Sequence, residues 1–175
     1  ANEPLSPPGP GVTLVRRVRW GKKVPGYYTA LFTRYQFRRR RILEFTRYAS
    51  FAQSSTNTMP YTDAICFITT VGTDAEDIDM PFFVTAHEVA HQWWGHQVAG
   101  ADVQGAAIMV ESLAEYSALM VMQKEYGAAS SQKFLRYELD RYLRGRSNER
   151  MKEQPPMLNE NQPYIHYNKG ALALY

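Results

Sequence analysis

The sequence predicts one α+β domain, and three observations support this prediction. A chain of 175 residues is long enough for one domain with a hydrophobic core and short for two. Short stretches of strand character lie in the first half, at residues 42–47 and 64–70. Longer stretches of helical character follow at residues 82–96 and 105–126. We therefore expect a small sheet packed beside two long helices.

Composition limits the classes of function. Apolar residues make up 45% of the chain and charged residues 21%, as in an ordinary globular domain, and a net charge of +3 is too small to indicate a nucleic-acid partner. The single cysteine, Cys66, excludes an internal disulfide framework. No apolar run approaches the roughly 20 residues of a membrane-spanning helix, and no signal-peptide pattern is present. We expect the chain as given to be soluble.

The first 41 residues combine three predicted elements with a basic run. Residues 1–11 are rich in proline and glycine, which predicts an extended lead-in. Residues 12–20 alternate in polarity and predict a strand, whereas apolar side chains three and four apart predict a short amphipathic helix at residues 25–36. The four arginines at residues 38–41 are either a solvated approach to the next strand or a patch for phosphate or an acidic partner.

The predicted sheet and helices occupy the rest of the chain. A largely polar stretch at residues 50–63 separates the two predicted strands, and Pro81 suits the first turn of the helix at residues 82–96. The helix at residues 105–126 is apolar nearly all round and is therefore predicted to be buried; Gly127 ends it. A third helix begins at Ser130 or Ser131, and the final residues resemble a helix start without a stop signal.

Three of the four histidines fall within ten positions, and two of them, His87 and His91, flank Glu88 in an H-E-x-x-H pattern. Helical positions i and i+4 lie about 40° apart, so both imidazoles share one face and are able to bind one Zn²⁺. Glu88 flanks that face, close enough to reach a metal-bound water without ligating the metal. The alternative is a buried helix with two hydrogen-bonded histidines and an incidental glutamate. We favour a zinc site with one ion.

Two glutamates on the next helix complete this prediction. A carboxylate inside a buried helix is costly unless it pairs with a charge or a metal, so Glu111 is predicted to be the third ligand. Glu115 lies one turn further on the same side, where it either orients a ligand histidine or is an exposed helix residue. Three protein ligands leave the fourth zinc position for water, as catalysis requires, and Glu88 is then the general base.

Three segments resemble the aminopeptidase N-type zinc metallopeptidases of the gluzincin group: HEVAHQWWG at residues 87–95, ESLAEY at residues 111–116 and YNKGA at residues 167–171. The resemblance runs from about residue 25 to the end. It implies a thermolysin-like fold, a peptide substrate, and the same zinc ligands and general base. It also implies that Tyr167 stabilises the oxyanion of the tetrahedral intermediate. Residues 1–175 are then a single, partial catalytic domain that lacks the helical region that normally follows.

The sequence departs from the family pattern in two places. The family has eighteen residues between the second histidine and the ligand glutamate; here there are nineteen, and we expect the connection at residues 97–104 to accommodate the extra one. The family's Gly-x-Met-Glu-Asn stretch, which binds the substrate amine, is not recognisable. Asp63 lies 24 residues before His87, close to where that glutamate falls, and is assigned to the amine.

Three functions are compatible with these residues. The first is an aminopeptidase, and the second is a thermolysin-like endopeptidase that also accepts a blocked N-terminus. The third is a non-catalytic, peptide-sensing zinc domain of a membrane transporter assembly, because the chain resembles bacterial proteins in which such a domain is joined to a permease-like region. Any membrane association then comes through segments absent from this chain. Glu88 and Tyr167 favour an enzyme, since a binding module needs neither.

Overall fold

The computed structural model describes residues 10–46, 51–63 and 77–175, with the backbone alone described for residues 10–19. Its elements, in chain order, are α1 (Pro10–Leu31), β1 (Arg41–Phe45), β2 (Thr58–Thr62), α2 (Met80–Ala90), a first π-helical turn (Ile108–Ser112), α3 (Leu113–Asn148), a 3₁₀ turn (Pro156–Leu158), a second π-helical turn (Ile165–Lys169) and α4 (Gly170–Leu174). This combination confirms the α+β class. Among these helices, none has the length and apolar character needed to span a bilayer.

Helices α1, α2 and α3 enclose the hydrophobic core. Trp20 of α1 stacks on Phe82 of α2, with ring centroids 5.0 Å apart. On the other side of α2, Phe83 contacts Phe134 of α3 at 5.5 Å between centroids. Aromatic side chains bury large apolar areas, so these contacts fix α2 between its two neighbours. Helix α2, which contains His87 and ends directly before His91, is thus packed between α1 and α3.

The predicted strand at residues 12–20 is wrong, because these residues belong to helix α1. Trp20, Val24 and Tyr28 are all buried and lie four residues apart, which is the spacing of one helix face. Short apolar stretches fit both periodicities, and packing against α2 decides between them. Helix α1 also begins at Pro10, so the last two residues of the predicted lead-in are helical. Residues 1–9 lie outside the described part.

The described sheet has two parallel strands, in which Arg41 pairs with Thr58 and Phe45 with Thr62. Strand β1 confirms the prediction at residues 42–47 within two residues. Strand β2 was not predicted, because it falls in the polar stretch and contains Pro60, which argues against a strand. The predicted strand at residues 64–70 lies outside the described residues.

Residues 51–57, called the edge segment because they lie outermost beside β2 among the described residues, run antiparallel to β2. The Gln53 amide donates to the Pro60 carbonyl at 3.1 Å, and the Ser55 amide donates to the Thr58 carbonyl at 2.8 Å. Asn57 turns the chain with a positive φ of 55°. In an antiparallel ladder, alternate residues bond to the partner strand. The backbone groups of Ala52 and Ser54 therefore point away from β2.

The long helices differ from the prediction at their ends. Helix α2 stops at Ala90 instead of residue 96, and the Asp79 side chain caps its start by accepting from the Phe82 amide at 3.1 Å. Helix α3 continues to Asn148, but its course is broken at Gly127, where φ is 82° and ψ is 167°. A positive φ is costly for residues with a side chain, so glycine marks this break as predicted.

Candidate active site

The His87 and His91 side chains converge with Glu111 at the surface of α2. His87 Nε2 and His91 Nε2 are 3.0 Å apart, and Glu111 Oε2 lies 3.4 Å from the first and 3.3 Å from the second. A tetrahedral ion about 2.0–2.1 Å from each donor separates the donors by roughly 3.3 Å. Glu111 Oε2 is buried without a hydrogen-bond partner among the described residues. The three atoms therefore fit one zinc ion.

Hydrogen-bond partners select the ring nitrogen that each histidine presents to a metal. His91 Nδ1 lies 3.1 Å from the Trp94 carbonyl oxygen, which accepts a hydrogen bond from a proton on Nδ1, so Nε2 is the unprotonated nitrogen. His87 Nδ1 lies 2.5 Å from Glu115 Oε2, so a proton on this nitrogen faces a carboxylate and Nε2 is again the nitrogen turned toward Glu111. The contact between His91 and Trp94 depends on the end of α2 at Ala90, since the chain turns after this residue. Ligand histidines generally have such partners on their second nitrogen.

Charge at this point of the structure favours a cation. Burial lowers the pKa of His87, but the surrounding carboxylates, with Glu115 first, raise it well above the usual range. Burial likewise raises the pKa of Glu111, but the nearby His87 and His91 imidazoles outweigh this and lower the pKa far below that of an ordinary carboxyl group. An ion of charge +2 satisfies both preferences when neutral imidazoles bind it.

Glu88 and Tyr167 line both cavities that border this cluster. The larger, of about 590 Å³, is also lined by the edge segment (Ala52, Gln53, Ser54) and by Trp94 and His96. The smaller, of about 330 Å³, is lined by apolar side chains of α2, among them Met80, Phe83 and Val84. His87 and Ala52 border both. The metal cluster therefore lies where the two cavities meet.

The two π-helical turns position Glu111 and Tyr167. A π-helical turn contains one residue more than an α-helical turn, and such turns are frequent at functional sites. Glu111 lies within the first turn, at Ile108–Ser112, and the placement of the nineteenth residue in the connection at residues 97–104 stays a prediction. Tyr167 lies in the middle of the second turn, with its ring centroid 5.9 Å from that of His87.

A family model described as the Peptidase family M1 domain matches residues 21–172. The chain belongs to peptidase family M1. This is the aminopeptidase N family of the gluzincin group, so the resemblance in the sequence is confirmed, and the family implies zinc-dependent hydrolysis of peptides. A comparison with curated proteins found no match.

The remaining predicted residues of this M1 domain occupy different places. Glu115 is buried beside His87 and is not an exposed helix residue. Asp63 follows β2 directly, is half-buried and accepts a hydrogen bond from Thr62 Oγ1 at 3.4 Å. It is not among the residues that line the two cavities. Its assignment to the substrate amine therefore stays a prediction.

Gln92, which no sequence pattern singled out, is a fully buried side chain that joins the end of α2 to the edge segment. Its Nε2 donates to Ser54 Oγ at 2.7 Å and to the Ser55 carbonyl at 3.0 Å, and its Oε1 accepts from the Asn57 amide at 2.9 Å. Only its position directly after His91 could have indicated this. Gln92 fixes the cavity wall relative to the metal ligands.

Proposed function

We propose that this M1 domain is an aminopeptidase that removes N-terminal residues from peptides. The observation that carries the proposal is the convergence of the three donor atoms to within 3.0–3.4 Å at the junction of two cavities that Glu88 and Tyr167 also line. His87, His91 and Glu111 would hold the zinc ion. When bound, zinc supplies Lewis-acid activation of a water molecule and of the peptide carbonyl.

Glu88 is suited to general-base catalysis. It is buried on α2, and burial raises its pKa above that of an ordinary carboxyl group, which strengthens it as a proton acceptor. It takes a proton from the attacking water and delivers it to the leaving amine. Because Glu88 lines both cavities, the same side chain is placed to reach the water molecule and the leaving amine.

Tyr167 is suited to hydrogen-bond donation. Burial and the Glu111 carboxylate raise its pKa well above the ordinary value, so its phenol stays protonated at neutral pH. A protonated phenol beside the metal ligands donates to the oxyanion that forms when water adds to the carbonyl. Its role in this proposal is therefore transition-state stabilisation.

The edge segment offers a binding surface for an extended peptide. Ala52 and Ser54 direct backbone groups away from β2 and line the larger cavity. A peptide that pairs with this edge is held by main-chain hydrogen bonds, which suits substrates of varied sequence. Asp63, at the end of β2, is proposed to bind the terminal ammonium and so to restrict cleavage to the first peptide bond. We also propose the thermolysin-like arrangement of the whole domain.

The test compares one short peptide with a free and an acetylated N-terminus, using the zinc-loaded chain. Cleavage of the free form alone is expected, with loss in Glu88→Gln and retention in Glu44→Gln, a matched change on exposed β1. Asp63→Asn should raise KM for the free peptide, whereas Asp102→Asn in an exposed connection should not. Cleavage of both forms would indicate an endopeptidase. Cleavage of neither, with zinc bound, would indicate a sensing domain.

A further inference from the structure

Glu138 of α3 is a buried carboxyl group that the proposed mechanism does not use. Its side chain is fully buried, with an exposed fraction of 0%. Oε2 accepts a hydrogen bond from Asn168 Nδ2 at 2.6 Å, whereas Oε1 has no donor among the described residues. A buried anion with one unsatisfied oxygen is costly, so a different protonation state is expected.

The second carboxyl group near Glu138 is that of Glu115. The two lie within hydrogen-bonding range of each other. Burial, and then the Glu115 carboxylate, raise the pKa of Glu138 to about 8, and the hydrogen bond from Asn168 and the Arg141 guanidinium lower it by less. Glu138 is therefore neutral at pH 7. A protonated Glu138 carboxyl group is able to donate a hydrogen bond to the Glu115 carboxylate.

Each partner of Glu138 lies next to a residue of the candidate active site. Glu115 Oε2 is 2.5 Å from His87 Nδ1, and Asn168 directly follows Tyr167 in the second π-helical turn. We propose that Glu138 is a positioning residue: its neutral carboxyl group donates a hydrogen bond to Glu115, which orients His87, and accepts one from Asn168, which fixes the turn that carries Tyr167. The kinetic part of this proposal rests on the proposed peptidase function, whereas the part on zinc affinity does not.

Two substitutions of similar length separate positioning from simple space filling. Glu138→Gln keeps both hydrogen bonds, because its amide donates to Glu115 and its carbonyl accepts from Asn168. Glu138→Met fills similar volume and makes neither bond. Leu139→Met is the matched control, since it places the same side chain at the next, exposed position of α3.

Zinc affinity, measured by competition with a chelator, is the first readout. Glu138→Met should bind zinc about 10-fold more weakly than the unmodified chain, at the lower end of the effect of outer partners of ligand histidines. Glu138→Gln and Leu139→Met should bind zinc as the unmodified chain does. In peptide cleavage, Glu138→Met should lower kcat more than it changes KM, because Tyr167 acts in the transition state. Circular dichroism of the metal-free proteins establishes that each variant is folded.

An infrared difference spectrum at neutral pH supplies a second readout. The unmodified chain minus Glu138→Gln should show the carbonyl band of one protonated carboxyl group. Absence of this band overturns the proposal, as does unchanged zinc affinity in folded Glu138→Met or equal loss in Glu138→Gln. Should Glu138→Met not fold, the infrared band and the affinity of Glu138→Gln decide the outcome. A chain that binds zinc but cleaves no peptide contradicts the peptidase function and leaves the affinity test intact.

Discussion

Helix α2 and the residue that caps its C-terminus bring His87, Glu88 and His91 to the site by regular helical geometry, whereas Glu111 and Tyr167 reach it from two π-helical turns. The His91 amide still donates to the His87 carbonyl at 3.2 Å, so the pair keeps the i, i+4 relation of a helix. The two turns instead depend on each other, since Ser112 Oγ donates to the His166 carbonyl and Gly170 packs against Ser112. The positions of His87, Glu88 and His91 therefore depend on local helical geometry, whereas those of Glu111 and Tyr167 depend on tertiary contacts between the two turns.

The largest effect is expected when either half loses a zinc ligand. His91→Ala, on the local side, and Glu111→Ala, on the tertiary side, should each reduce zinc affinity by more than the roughly 10–100-fold that follows loss of an outer partner, and should abolish cleavage. Metal content after dialysis and peptide assays measure this. If Glu111→Ala bound zinc as tightly as the unmodified chain, the first π-helical turn would supply no zinc ligand.

The next largest effect separates the two π-helical turns. Tyr167→Phe removes the oxyanion donor and leaves the metal ligands in place, so kcat should fall by about 10²–10³ while zinc affinity stays unchanged. Steady-state kinetics and chelator competition measure the two quantities. Tyr175→Phe, in an exposed tyrosine, is the control and should change neither. Equal kcat in Tyr167→Phe would contradict the assignment.

A methyl group between the turns tests their packing. Gly170→Ala would overlap Ser112, so the turns must separate, at a cost of about 1–3 kcal/mol in the free energy of unfolding and with weaker zinc binding. At Gly26, an exposed position in α1, an added methyl group meets nothing within 4 Å. Gly26→Ala should therefore stabilise the chain by roughly 0.5–1 kcal/mol. Chemical denaturation measures the free energy of unfolding of both variants, and equal values would contradict the close packing of Gly170 against Ser112.

The smallest effect concerns one hydrogen bond between the turns. Ser112→Ala removes the donor to the His166 carbonyl and should lower the free energy of unfolding by about 0.5–1.5 kcal/mol. Ser147→Ala removes an exposed hydrogen bond to the Leu143 carbonyl within α3 and should change it by less than about 0.5 kcal/mol. A larger loss in Ser147→Ala would show that the contact between the turns contributes little.

The difference between the two halves explains how much could be predicted. Spacing placed His87, Glu88 and His91 on one helix face, because helical periodicity is a property of neighbouring residues. Buried charge pointed to Glu111, but nothing in the spacing indicated the π-helical turn that contains it. Tyr167 was selected by family resemblance, since its distance along the chain from His87 exceeds any local pattern.

The fold shows the same division. Breaks at special residues, such as Gly127, were predicted because backbone sterics act locally. Residues 12–20, which belong to the helix at Pro10–Leu31, were mistaken for a strand because a short apolar stretch adopts the conformation that its packing partners favour. Strand β2 was missed because its sequence is polar and contains Pro60. Asp63 and the thermolysin-like arrangement stay predictions.

The sequence by itself determined the α+β class, the zinc-binding motif and membership in family M1. Periodicity, residue chemistry and motif spacing are properties of residues that lie close together along the chain. Tertiary structure alone decided which carboxylate reaches which histidine, how Gln92 holds the cavity wall, and that Glu138 interacts with Glu115. These contacts join residues far apart in the sequence. Their geometry follows from how the core packs, and no local pattern specifies it.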